Sequence, residues 1–226
     1  MRPDGVTTVA VIAGGQAVSP AIAGRIGDVD YVIAADSGLH AVERLGLTAD
    51  LVVGDLDSVD PALLDRPGLE VDRHPAAKDR TDIVLALDRA LDLGAGAAVV
   101  VSGGDGRLDH AFANLLVLAS PRYARVRVRA LIGDAEVEVV RDHHAMSAPA
   151  GTVVSLFAVD GPARGVTTEG LRYPLRDEVL DPLSSRGVSN EFAGGPAAVR
   201  VAHGVLLVIR PGGERRDTCG DGQRTP

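Results

Sequence analysis

Apolar residues along this chain follow two rhythms. In the first two-thirds, short unbroken apolar runs alternate with stretches whose apolar positions recur every three or four residues. "TVAVIAGG" (8–15), "DYVIAADSG" (30–38), "DLVVGD" (50–55) and "AAVVVSGG" (97–104) are of the first kind, and each ends at glycine or aspartate. Runs without polar alternation predict strands buried on both faces. "TDIVLALDRALDLG" (81–94) is of the second kind: its apolar residues at 83, 84, 87, 90 and 91 keep the 3.6-residue period, and Gly94 stops it. "LHAVERLG" (39–46) and "LDHAFANLLVLAS" (108–120) predict further helices. "PALLD" (61–65) predicts a short one, with Asp60 as N-cap and Pro61 at its first position. "RVRVRALIG" (125–133) alternates charge with apolarity, as an edge or half-exposed strand does.

Strands alternating with helices predict parallel pairing, hence an α/β fold with a doubly wound, mostly parallel sheet. Such a sheet places ligands at the carboxyl ends of its strands. Near Gly133 the texture changes to short β-like runs ("AEVEVV", "GTVVSLFAV", "AAVRVAHGVLLVIR") parted by Gly, Pro and Asp. This predicts a C-terminal all-β sandwich over 133–211, after an α/β domain over 1–132. The polar, Gly-rich residues 212–226 are expected to be a disordered tail.

Composition narrows the function classes. Hydrophobic residues make up 46% of the 226 and charged residues 24%, as in ordinary soluble domains. With 23 Lys and Arg against 31 Asp and Glu, the net charge is −8, and aromatics are only 3%. That balance argues against nucleic-acid binding. No apolar stretch reaches transmembrane length and no signal peptide is expected. The single cysteine, Cys219, permits no intrachain disulfide, which fits a reducing cytoplasm.

The acids carry the chemistry. In "GDLDS" (54–58), Asp55 and Asp57 point the same way if the segment leaves its strand extended. Two carboxylates about 5 Å apart repel by roughly 3 kcal/mol at an effective dielectric near 20. A Mg²⁺ ion, which takes hard oxygen ligands and is shared with substrate phosphates, relieves that repulsion. Helix capping or a solvated turn is the competing account. In "HPAAKDRTD" (74–82), Asp79 or Thr81 can cap the following helix and Asp82 can sit in its first turn, favoured by the helix dipole. Equally, Asp82 can be a metal-side acid and Lys78 a phosphate contact. "SGGDGRLDH" (102–110) is a Gly-rich turn opening a helix, where backbone N–H groups near Gly104 can approach a phosphate. It is neither a GxxxxGK[ST] loop nor a GxGxxG fingerprint, but Arg107, Asp109 and His110 gather there. Asp36, in "ADSG", lies beyond the second strand, where it is either a site acid or a turn residue. No serine stands in GxSxG, and the adjacent His143 and His144 make no helical metal face.

Taken in order, "AADSG" (34–38), "GDLDS" (54–58), "KDRTD" (78–82), "GGDGRLDH" with Asn114 (103–114), "GLRYPL" (170–175) and "GVSNEF" (187–192) resemble the thiamine pyrophosphokinase (thiamine diphosphokinase) family. The resemblance spans the chain to about residue 211. It implies transfer of an intact diphosphate from ATP to the hydroxyethyl group of thiamine, leaving AMP. It implies an α/β domain that binds ATP and Mg²⁺, and a β-sandwich on the thiamine side. It further implies a cytoplasmic homodimer, with thiamine between one subunit's α/β domain and the other's β domain. Carried over by motif, Asp55, Asp57 and Asp82 are the catalytic, Mg²⁺-binding acids. Asp36 and Asp109 are supporting members near the nucleotide and metal, and Ser189 and Asn190 lie on thiamine. Beside that, the residues themselves make Lys78 and Arg107 candidate cations on the phosphates and Gly104 part of a phosphate-approaching turn. Either Asp82 or Asp57 is placed to take the hydroxyl proton. Other readings are a diphosphokinase for another alcohol, such as a hydroxymethylpterin, and a non-catalytic nucleotide sensor. An NAD-dependent oxidoreductase lacks its fingerprint here.

Overall fold

Six parallel strands open the sheet in a computed structural model that describes residues 8–14, 18–104 and 107–212. They are β1 (Thr8–Ala13), β2 (Tyr31–Ala35), β3 (Leu51–Gly54), β4 (Glu70–Arg73), β5 (Ala97–Ser102) and β6 (Arg127–Ile132). Their spatial order is β4-β3-β2-β1-β5-β6, with every neighbouring pair parallel. The apolar runs are unbroken because both faces are covered. Along β1, Val9, Val11 and Ala13 enter one core with α4 (Asp82–Asp92) and the end of α5 (Leu108–Leu118). Ala10 and Ile12 enter the opposite core with α1 (Ala23–Ile26) and α2 (Gly38–Arg44). Helices on both faces make the sheet doubly wound, as predicted. Its order reverses direction at β1, between β2 and β5, which is where such sheets open a crevice.

Local chemistry sets the helix starts. Asp60 caps α3 (Pro61–Leu64), its Oδ1 accepting from the Ala62 N–H at 3.0 Å. Of the two candidate caps for α4, Thr81 is used: its Oγ1 accepts from the Val84 N–H at 3.4 Å. The start of α2 depends on a bare backbone. A Cβ on Gly38 would stand 2.0 Å from the carbonyl oxygen of Ile12, so only glycine lets the helix rest on β1.

Beyond β6 the sheet continues without a break in its hydrogen bonding, now antiparallel. A turn at Gly133–Asp134 leads into β7 (Ala135–Val140), then β13 (His203–Arg210), then β9 (Val153–Glu169). β9 has 17 residues and serves two layers. Its first half pairs with β13, and Thr167–Glu169 pair with β12 (Gly195–Arg200), which in turn pairs with β8 (His143–Ala148). β10 (Glu178–Leu180) and β11 (Asn190–Glu191) also pair with β9. The layers close on one core containing Leu156, Val166, Phe192, Val199, Leu206 and Val208. This is the predicted β-sandwich. β13 belongs to both halves by its period of two: Leu206 and Val208 face the sandwich core, while Val205 and Leu207 face the α/β core.

β6 decides between two expectations. Its alternating pattern reads as an edge or a half-exposed strand; it is no edge, lying between β5 and β7, but exposed Arg127 and half-buried Arg129 do alternate with buried Val128 and Ala130. The alternation arises because Arg129 turns its guanidinium under α1, donating from Nη2 to the carbonyl of Arg25 at 3.0 Å. Gly15, Asp105 and Gly106 of the quoted motifs, the expected disordered tail from 213 onward and Cys219 lie outside the described residues.

Candidate active site

The carboxyl ends of β1, β2 and β3 meet the start of α4 in a cleft of about 560 Å³. Its floor is built around Gly54, whose φ of +152° is open only to glycine. A Cβ there would lie 3.0 Å from the Cβ of Asp36 and 3.2 Å from Oδ1 of Asp82. The missing side chain therefore lets two acids from distant parts of the chain converge over β3. Asp36 leaves β2 in the left-handed region (φ +49°), its N–H held by the Val53 carbonyl at 2.8 Å. Its Oδ2 accepts from the Ser58 hydroxyl at 2.6 Å, and its Oδ1 is buried with no partner among the described residues. Asp55 follows directly. Lys78 Nζ bridges the pair, 3.0 Å from Asp82 Oδ1 and 3.4 Å from Asp55 Oδ2. Burial works against the lysine's charge, but hydrogen bonds and attraction from Asp82 and Asp55 outweigh it and hold its pKa above the ordinary value.

Asp36, Asp55, Lys78 and Asp82 are thus brought together, with His110 and Asn114 of α5 on the same cleft. Asp57 does not share the face of Asp55 by strand alternation. Leu56 turns into the left-handed region (φ +63°), which ends the extended run, and Asp57 is exposed and off the cleft lining. Its N–H donates to Asp55 Oδ1 at 3.2 Å. Arg107 and Asp109 pair with each other at 2.6 Å on the surface, outside the lining. That guanidinium bond holds the Asp109 carboxyl at about 2. Gly104 (φ +79°) lies off the cleft, where a Cβ would stand 3.0 Å from the Gly133 backbone nitrogen.

Ser189 and Asn190 line a separate groove of about 420 Å³ with Tyr173, Leu175 and Val188, sharing no residue with the first. Asn190 is buried and committed to the fold. Its Oδ1 accepts from the N–H groups of Tyr173 (3.0 Å) and Glu191 (2.9 Å), and its Nδ2 donates to the Tyr173 carbonyl at 2.7 Å. Ser189 is held in the left-handed region (φ +56°), with its N–H on Ser155 Oγ at 3.0 Å. Ser58, Arg80 and Tyr173 stand inside the quoted motifs GDLDS, KDRTD and GLRYPL, but the sequence assigns none of them a role in or around these grooves. Each needs the fold to reach its place.

The donors suit a hard divalent cation. They are carboxylate oxygens only, one buried without a partner and two others already drawn onto a single ammonium. Among the described residues no three acids or histidines are already gathered as a metal-binding group.

The fold and the cleft define a class: an α/β protein with an acidic cleft at the carboxyl ends of a parallel sheet, joined to a β-sandwich with its own groove. Comparison with known proteins gives the family. Residues 25–130 match the model of the thiamin pyrophosphokinase catalytic domain, and residues 136–206 that of the thiamin pyrophosphokinase vitamin B1 binding domain. Thiamine pyrophosphokinase of Bacillus subtilis (strain 168) is 25% identical over 219 residues, covering 90% of this chain and 98% of that protein. A crystal structure of thiamine pyrophosphokinase from Bacillus subtilis superposes with a TM-score of 0.80 at 22% identity, covering 92% of this chain and all of that one. Thiamin pyrophosphokinase from Candida albicans keeps the fold at 15% identity, with a TM-score of 0.71 over 90% of this chain and 88% of that one. The chain belongs to the thiamin pyrophosphokinase family. Membership makes it a transferase that uses ATP and thiamine.

Proposed function

We propose that this chain transfers the β,γ-diphosphate of ATP to thiamine in the cleft over Gly54, with Asp55 and Asp82 holding Mg²⁺. Asp57 joins them from the adjoining turn. The observation that carries this reading is the convergence of Asp55 and Asp82 on Lys78, beside Asp36, at the carboxyl end of a parallel sheet. When bound, Mg²⁺ supplies positive charge to the bridging and non-bridging phosphate oxygens. Lys78 then shifts part of its contact from the carboxylates to phosphate. The thiamine hydroxyl oxygen attacks the β-phosphorus, and the bond to the α-phosphate oxygen breaks, releasing AMP. Asp82 lines the cleft and Asp57 does not, which favours Asp82 as the acceptor of the hydroxyl proton. Asp36, fixed by Ser58, supports the acidic wall; Gly104, Arg107 and Asp109, assigned to the nucleotide and phosphates from the sequence, lie outside the cleft lining.

The acceptor side is the groove at Ser189, where Asn190 shapes the wall through Tyr173 and does not offer its amide oxygen to substrate. Because the two grooves share no residue, we assign the complete site to a homodimer. α5 supports that assignment: Leu108 (82% exposed), Phe112 (60%) and Leu116 (44%) repeat every fourth residue along one stripe of a helix that lines the cleft with other residues. The reading places the enzyme in the cytoplasm with its ATP. Among the described residues no helix is long and apolar enough to cross a membrane. The deciding experiment supplies thiamine, ATP and Mg²⁺ and identifies the products. Thiamine diphosphate and AMP are expected in equal amounts, and formation of ADP without AMP would sink the proposal. A panel including a hydroxymethylpterin tests the acceptor.

A further inference from the structure

The diphosphate that moves carries most of the negative charge of ATP, and the acids around Gly54 repel it. Lys78 is already divided between Asp55 and Asp82, and Arg107 is closed onto Asp109 outside the cleft. Arg80 lines the cleft with its side chain 54% exposed. Among the described residues its one side-chain bond runs from Nη1 to Asp88 Oδ2 at 2.9 Å. A guanidinium carries five N–H groups in a planar fork, so the edge formed by Nε and Nη2 stays available.

Asp88 explains why Arg80 is held this way. It is a buried acid on α4, six residues past Asp82, and it does not line the cleft. Its carboxylate accepts from Arg80, from Arg122 Nε and from the Tyr123 hydroxyl at 3.0 Å. The ordinary account is a cross-link between α4 and the turn at 121–123 that follows α5. Arg122 and Tyr123 suffice for that. A further bond from an exposed arginine adds little stability, but it does aim the guanidinium.

Resting on the diphosphokinase reading, we propose that Arg80 binds the β- and γ-phosphates of ATP through its Nε–Nη2 edge. Asp88 is the positioning residue that fixes the orientation of that edge. The test measures binding by calorimetry on the full chain. One probe is the magnesium complex of α,β-methylene ATP, whose bridging carbon blocks transfer. The other is AMP, which lacks both phosphates. Arg80→Gln weakens the analogue by about 10- to 100-fold, as loss of a charge-assisted bidentate contact requires, and leaves AMP within about twofold. Arg80→Lys keeps the charge without the fork and falls between. Asp88→Asn gives a smaller loss with the same selectivity, and the double variant binds no more weakly than Arg80→Gln alone. If Asp88→Asn folds poorly, Asp88→Glu, which keeps the charge but moves it, is used in the same cycle. Analogue bound equally by Arg80→Gln and the parent, or an equal loss for AMP, overturns the phosphate contact. Additive losses overturn the role of Asp88. A parent chain that does not bind the analogue overturns the diphosphokinase reading itself, and this assignment with it.

Discussion

Asp55 and Asp82 stand on either side of one ammonium, so the loss of either changes the charge of the whole cleft. Asp55→Asn keeps the shape but halves the partnership with Lys78, and turnover measured as AMP formation should fall by at least about 100-fold. Its far-ultraviolet dichroism should match the parent, because Asp55 follows the strand and does not pair within it. Glu138, on β7 and away from the cleft, gives a separate pH signature. Burial, and then repulsion from Glu136, push its carboxyl up to about 7 against the pull of Arg129, Arg210 and Arg127. Between the ordinary value of 4.5 and about 7 the folded chain holds a proton that the unfolded chain has released. Stability therefore falls as pH rises through that interval, by up to about 3 kcal/mol. Glu138→Gln should raise the melting temperature at pH 8 and leave it nearly unchanged at pH 4.5; an equal shift at both would count against this. Single residues were legible where their role is local. Asp60 reads as a cap because proline follows it, and it is one. Asp57 reads as the twin of Asp55 only while the backbone stays extended, and the turn at Leu56 is not visible in side-chain identities. Asn190 stands in a motif the family carries, but only the fold reveals that its amide is spent on Tyr173 and Glu191.

Elements were legible in proportion to their burial. α4 declares itself because Ile83, Leu87 and Ala90 must reach the core while Thr81 and Leu93 close its ends. β1, β2, β3 and β5 declare themselves by needing apolar side chains on both faces. β4 and β8 have mixed, largely exposed sequences ("EVDR", "HHAMSA"), so no period marks them. β6 misleads as an edge because Arg129 finds a carbonyl partner in Arg25 and a carboxylate partner in Glu136. The tightest joint between elements is the contact of α2 with β1, where Gly38 has no room for a methyl group. Gly38→Ala should force the helix off the sheet and cost about 3 kcal/mol, read from the denaturant midpoint. Because Asp36 and Ser37 lie just before that joint, activity should fall further than the lost stability alone explains.

For the whole molecule, a ligand that binds only the folded chain stabilises it by mass action. Mg-ATP at about 100 times its dissociation constant should add about 2.7 kcal/mol to stability, seen as a higher melting temperature that a chelator abolishes. No shift would count against the metal assignment. The apolar stripe on α5 makes a second prediction at this scale: if the proposed homodimer forms through it, Phe112→Asp should leave monomers in sedimentation where the parent is dimeric, with loss of turnover at dilute protein. The continuity of the sheet has a consequence for how the protein is made. β13 is the last of the described strands to be synthesised, yet it lies between β7 and β9, which are made before it. Until residues 203–210 leave the ribosome, both strands wait with open edges, the kind of surface that recruits other chains. Closure of the sheet thus comes after nearly all of the chain has been translated. A message that stops short of codon 203 yields not a smaller working enzyme but a sheet with a missing middle.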